Sequence, residues 1–193
     1  MTDRKQQILQ EACGILAAEG CGAFTMRAVA RASGLKLGAL QYHFRTRADL
    51  LGALADFVAE AYHADFARFL ADGPPPASRL HALLDYMRVE TVTTALQTHR
   101  LFPQLWALAM VEPPLQAALD AIYARYLATI EESLSAQGVP DPRGDALALL
   151  SMLEGLTLFV DPGRRWAADA GQTVAAIRAL LDARYGDPAT PAP

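Results

Sequence analysis

The chain reads as a succession of amphipathic helices. Ile8, Leu9, Ala12, Ile15 and Leu16 recur at helical spacing, which predicts a first helix over about Asp3–Glu19, stopped at Gly20. Thr25 is a fitting N-cap for a second helix that buries Met26, Val29 and Ala30 and ends at Gly34. A short third helix is predicted over about Lys36–Phe44, with Leu37, Leu40 and Phe44 at its apolar positions. Thr46-Arg47-Ala48-Asp49 has the shape of a capping box, with Asp for the usual Glu. It opens a fourth helix whose stripe is Leu50, Leu51, Leu54, Phe57, Val58 and Ala61.

Beyond the breaker Gly73-Pro74-Pro75-Pro76, a helix is predicted over about Ala77–Gln97. Pro103 and the Pro113-Pro114 pair bracket a short helix holding Trp106. Three more follow, over about Pro114–Ala136, Arg143–Phe159 and Gln172–Tyr185. The tail Asp187–Pro193 has almost nothing to bury and is expected to be disordered.

Composition agrees with the periodicity. Ala and Leu dominate, Val, Ile and Thr are sparse, and the hydrophobic fraction is 52% against 20% charged. Ala and Leu favour helices and β-branched residues favour strands, so the expected fold is all-α, with about nine helices. Residues 1–48 are expected to form a three-helix head, and residues 49–186 a larger helical domain. The polar N-terminus does not fit a signal peptide. The longest strongly apolar run, Ala146–Val160, is interrupted by Glu154 and falls short of the roughly 20 residues a membrane span needs. Glu154, alone in an apolar helix, is expected at the surface. Cys13 and Cys21 give neither a disulfide framework nor a metal spacing and are read as small apolar residues in a reducing compartment. His63, His81 and His99 are too scattered for a metal site. No cofactor, metal or membrane partner is expected, and a cytoplasmic location follows.

Charge sharpens the picture. The net charge is −4, but residues 1–50 carry seven basic and four acidic residues, a net of +3. Between Gly20 and Ala48 there are five basic residues and no acidic one. Such a patch on an acidic chain suits a polyanion, though a merely solvated basic surface has the same signature. The acid-free stretch coincides with two short helices joined by a tight turn, Thr25–Ser33 and Lys36–Phe44, which is the shape of a helix-turn-helix. In such a pair the second helix lies in the major groove with its N-terminal residues at base edges.

The run Phe24-Thr25-Met26-Arg27-Ala28-Val29-Ala30-Arg31-Ala32-Ser33-Gly34-Leu35, then Gly38-Ala39-Leu40-Gln41-Tyr42-His43-Phe44, then Thr46-Arg47-Ala48-Asp49-Leu50-Leu51, resembles the DNA-binding head of TetR-family regulators. The resemblance covers about Arg4–Leu54; beyond it, Leu105-Trp106-Ala107 and Leu153-Glu154-Gly155-Leu156 look like fragments of the family's C-terminal domain. It implies that Arg27, Leu37, Gly38, Ala39 and Gln41 face bases. It implies that Thr25, Lys36, Tyr42, His43, Thr46 and Arg47 hold phosphates. The chemistry agrees: Tyr and His donate to phosphate oxygens, Arg47 brings charge, and Thr25 and Thr46 sit at helix N-termini, which favour anions. Lys36 stands where the family usually has a Ser cap, and Gln41 where it usually has Tyr. Gln reads adenine bidentately, so the second change implies a different operator preference.

The motifs of enzymes are missing: there is no Gly-rich phosphate loop, no Gly-x-Ser-x-Gly elbow, no His-Glu-x-x-His and no Cys-x-x-Cys. The reading is therefore a dimeric DNA-binding regulator, a repressor released from a palindromic double-stranded operator by a small apolar or aromatic effector. The rivals are a helical adaptor without DNA binding and a helical enzyme of unfamiliar type. Tyr86, Trp106, Met110, Tyr123 and Phe159 are candidate walls of the effector site, or core, or both. Ala148, Ser151 and Gly155 form a small-residue stripe at helical spacing which, with Leu180 and Leu181, is the candidate homodimer interface.

Overall fold

The computed structural model describes residues 3–88 and 98–186. Every regular element among them is helical. Nine α-helices follow in order among these residues: α1 (Asp3–Glu19), α2 (Met26–Ala32), α3 (Leu37–His43), α4 (Arg47–Asp72), α5 (Arg79–Arg88), α6 (Thr98–Ala109), α7 (Pro113–Ala136), α8 (Pro142–Phe159) and α9 (Ala170–Tyr185).

Two differences from the sequence pattern have local causes. Pro103 lies inside α6 instead of bounding it. Its missing N–H falls near the helix start, where one backbone hydrogen bond is lost and the helix continues. The helix expected over 77–97 begins as a 3-10 turn at Pro76–Ser78 and becomes α-helical only at Arg79, since the proline run holds extended backbone up to Pro75. Its residues 89–97 lie outside the described part, as do those of the tail at 187–193.

The helices gather into two compact units. One comprises the described residues of 3–66 and 98–122; the other comprises 67–88 and 123–186. The partition does not fall at 48/49, because α6 packs against α1 and against the turn at Cys21–Ala23. In the first unit Ile8, Leu9, Ala12, Leu16, Val29, Leu40, Leu50 and Leu54 are fully enclosed. Cys13 is enclosed with them, and burial pushes its thiol up to about 12, so it behaves as a small hydrophobe. In the second unit α5 packs against α8 and α9. It carries ion pairs: buried Arg79 with Glu132 and, further out, Arg184 with Asp145, Arg143 with Glu131 and Arg178 with Asp85.

Candidate nucleic-acid interface and body sites

The local geometry of the head follows from its caps. Thr25 Oγ1 accepts a hydrogen bond from the Ala28 N–H at 3.1 Å and starts α2. Gly34, at φ +66°, ends it, and the Leu35 N–H folds back to the Ala30 carbonyl at 2.8 Å. Lys36 precedes α3 without a side-chain cap, as its replacement of a Ser foretold. The box at α4 is reciprocal: the Asp49 N–H donates to Thr46 Oγ1 at 3.1 Å, and the Thr46 N–H donates to Asp49 Oδ2 at 3.0 Å. Arg4, reaching over from α1, donates to the Ser33 carbonyl at 2.8 Å and adds a cation at the C-terminal end of α2.

Leu40 and Phe44 anchor α3 to the core. That anchorage turns Gly38, Ala39, Gln41 and Tyr42 outward; Tyr42 is 88% exposed. Thr25, Arg27, Lys36, Thr46 and Arg47 are exposed as well, while Leu37 and His43 are half-buried. The His43 ring meets the Tyr42 ring edge-on, with centroids 5.5 Å apart. The result is a face with a small, polar centre and cationic flanks, to which Arg31 and Arg45 also contribute exposed charge. Such a face approaches a duplex closely at its centre and meets phosphates at its edges. One contact was invisible in the sequence: Arg47 is ion-paired with Glu112, 65 residues away.

The sequence profile of bacterial regulatory proteins of the TetR family matches residues 8–54, which span α1 to the start of α4. The head is thus similar to the DNA-binding head of that family. The matched segment is the one that holds the helix-turn-helix. Solved structures agree on the fold over nearly the whole length of the chain. A transcriptional regulator from Rhodococcus sp. Rha1 is 17% identical, with a TM-score of 0.79, over 97% of this chain and 99% of the other. A protein of Saccharomonospora viridis in complex with choline is 19% identical, with a TM-score of 0.78, over 95% and 98%. AibR, in complex with isovaleryl coenzyme A and operator DNA, is 20% identical, with a TM-score of 0.69, over 95% and 99%. No curated protein sequence matches the chain.

The candidate effector residues fall in both units. In the first, Trp106 meets Phe102 edge-on at 5.8 Å, and Phe102 meets Tyr62 edge-on at 5.0 Å. Met110 is 87% exposed, so it encloses nothing. In the second, Tyr86 is buried with its ring 4.5 Å from that of Phe69. Phe159 is 56% exposed and lies 6.0 Å from Trp166, on the outside rather than in a wall. Tyr123 is half-buried and hydrogen-bonded to Glu154. Glu154 is therefore not the plain surface residue its isolation suggested. Burial raises its carboxyl to about 7, Tyr123 draws it down and Asp161 pushes it up.

The second unit also holds a cleft with about 280 Å³ of empty space, its open mouth included. Leu80, Leu83 and Leu84 of α5, Ile130 of α7, Leu149 and Leu153 of α8, and Ile177 and Leu181 of α9 line it. The aromatic candidates are not among these residues; its wall is wholly aliphatic. Of the histidines, His81 Nε2 lies 2.7 Å from Asp182 Oδ1, and the side chain of His99 lies outside the described residues. No group of three metal-ligating side chains is found among the described residues, and no described helix is long and apolar enough to cross a membrane.

Ala148 and Ser151 are exposed on α8 and Gly155 is half-exposed, and Leu147 and Leu158 widen this strip with 47% and 48% exposure. Ser151 Oγ donates back to the Leu147 carbonyl at 2.8 Å, which leaves no hydroxyl proton seeking a partner on that face. On α9, Leu180 is 59% exposed. Leu181 is 4% exposed; its neighbour in sequence points outward, while Leu181 itself turns into the protomer and has no surface left for a partner.

Proposed function

We propose that the chain is a dimeric repressor whose two heads occupy the half-sites of a palindromic operator, and that a small apolar effector releases it. The observation that carries the DNA reading is the face of α2 and α3: polar, small and cationic, with Leu40 and Phe44 pinning it in place. Gln41, Arg27 and, at the start of α3, Leu37, Gly38 and Ala39 read bases, while Thr25, Lys36, Tyr42, His43, Thr46 and Arg47 hold phosphates. One head reads too few base pairs for useful specificity, which favours a two-fold assembly. The exposed apolar strip Leu147, Ala148, Ser151, Gly155 and Leu158, with Leu180, supplies a self-complementary surface for it.

The effector contains an aliphatic part that fits the leucine and isoleucine cleft. Most of the cleft's space is its open mouth, and little of it is enclosed, so the helices part to admit a ligand. That one relative was solved with both an acyl thioester and operator DNA supports an effector-responsive regulator. The place of action is the cytoplasm. The test is binding to duplexes selected from random sequence, measured between 50 and 200 mM salt. A selected palindrome and a steep fall of affinity with salt are expected. Salt-insensitive binding, or no enrichment of a common site, refutes the reading.

A further inference from the structure

We propose that Glu112 competes with an operator phosphate for Arg47, so that the turn joining α6 to α7 sets how tightly the head holds DNA. The inference rests on the head being the DNA-binding surface. Arg47 opens α4, where a helix N-terminus favours anions, and its side chain is 42% exposed. Its guanidinium is already engaged: it pairs with the Glu112 carboxylate and lies 5.9 Å over the Phe24 ring, a wall of the head core.

Glu112 is held from both sides. Its N–H donates to the Leu108 carbonyl at 2.8 Å, and its own carbonyl accepts from the Leu115 and Gln116 N–H groups at 3.0 and 3.2 Å. Pro113 and Pro114 follow at once and restrict the backbone further. Only 24% of the carboxylate side chain is exposed. A second tie comes from α6: Gln104 Oε1 accepts from the Cys21 N–H at 3.0 Å. Cys21 lies just before α2 and Arg47 just after α3, so α6 and the turn after it grip the helix-turn-helix at both of its ends.

This grip has an electrostatic consequence. Across the stretch from Gly20 to Ala48 the chain itself offers no acid, but the fold brings one in. While Glu112 holds Arg47, that guanidinium cannot give a phosphate its full charge, and a carboxylate stands where a phosphate is repelled. DNA binding must break or share the ion pair. By reciprocity, a body conformation that withdraws Glu112 strengthens the head on DNA, and one that presses it home weakens it.

Glu112→Gln keeps the size and the backbone caps and removes the charge. With a duplex selected by the wild-type protein, Glu112→Gln is expected to bind about 3- to 10-fold more tightly at 0.1 M salt. The slope of log K against log salt should steepen by about 0.9, one further phosphate neutralised. Arg47→Ala should cost a larger factor in the Glu112→Gln background than in the wild type, and Glu112→Ala should repeat the gain. Wild-type binding with Glu112→Gln unchanged or weaker, or strictly additive effects of the two substitutions, overturns the proposal alone. A wild-type protein that selects no duplex overturns the DNA reading, and this inference with it.

Discussion

Replacing Glu154 by Gln should stabilise the protein at pH 8 and do little at pH 5. The carboxyl is raised from an ordinary 4.5 to about 7, chiefly because α8 withdraws it from water, with Asp161 adding repulsion and the Tyr123 hydroxyl offsetting part of both. An acid whose native pKa is raised holds its proton more tightly folded than unfolded. Stability is therefore highest below about 4.5, falls as pH rises towards about 7, and is level above. A gap of about 2.5 units sets a ceiling of about 3.4 kcal/mol on that loss. Glu154 is half-buried, so solvent screening cuts the figure to about 1–2 kcal/mol. Gln keeps the shape and an acceptor for Tyr123 without the charge. Urea denaturation of both proteins at pH 5 and pH 8, at one fixed chain concentration, measures the difference. A gain of about 1–2 kcal/mol at pH 8 that shrinks to a few tenths at pH 5 is expected. Equal effects at the two pH values would refute the argument, because only ionisation makes the two side chains differ with pH.

Gln41→Ala should relax the preference at one base pair by about 1–3 kcal/mol, seen as a flattened column in a selected-site profile, since the side chain stands exposed on α3. Thr46→Ala removes the acceptor of the Asp49 N–H and should lower stability by about 1 kcal/mol in thermal or urea melts. Leu158→Asp and Leu180→Asp place charges on the exposed strip of α8 and on α9; sedimentation should show monomers at micromolar concentration, whereas Leu181→Ala should instead lower stability by about 2–5 kcal/mol, being already buried.

Much of this protein was legible in one dimension because its determinants are local. The head follows from caps and turns within four residues of one another: Thr25 with Ala28, Thr46 with Asp49, Gly34 at a positive φ. Helical spacing placed Leu40 inward and Gln41 outward on α3, and that choice of face carries the DNA reading. What the sequence could not display is which distant residues meet. Glu112 reaches Arg47 across 65 positions, and Gln104 reaches Cys21 across 83, with no periodicity linking either pair. Periodicity also identifies an apolar residue without saying which wall it joins. Met110 and Phe159 have the composition of a pocket and lie on the surface, while Leu181, one position from exposed Leu180, closes the aliphatic cleft. The cleft itself is made where four helices converge, so its chemistry is a property of their packing. Local hydrogen bonds determined the head from sequence alone; the partner of each charge and the lining of each cavity were decided only when the helices came together.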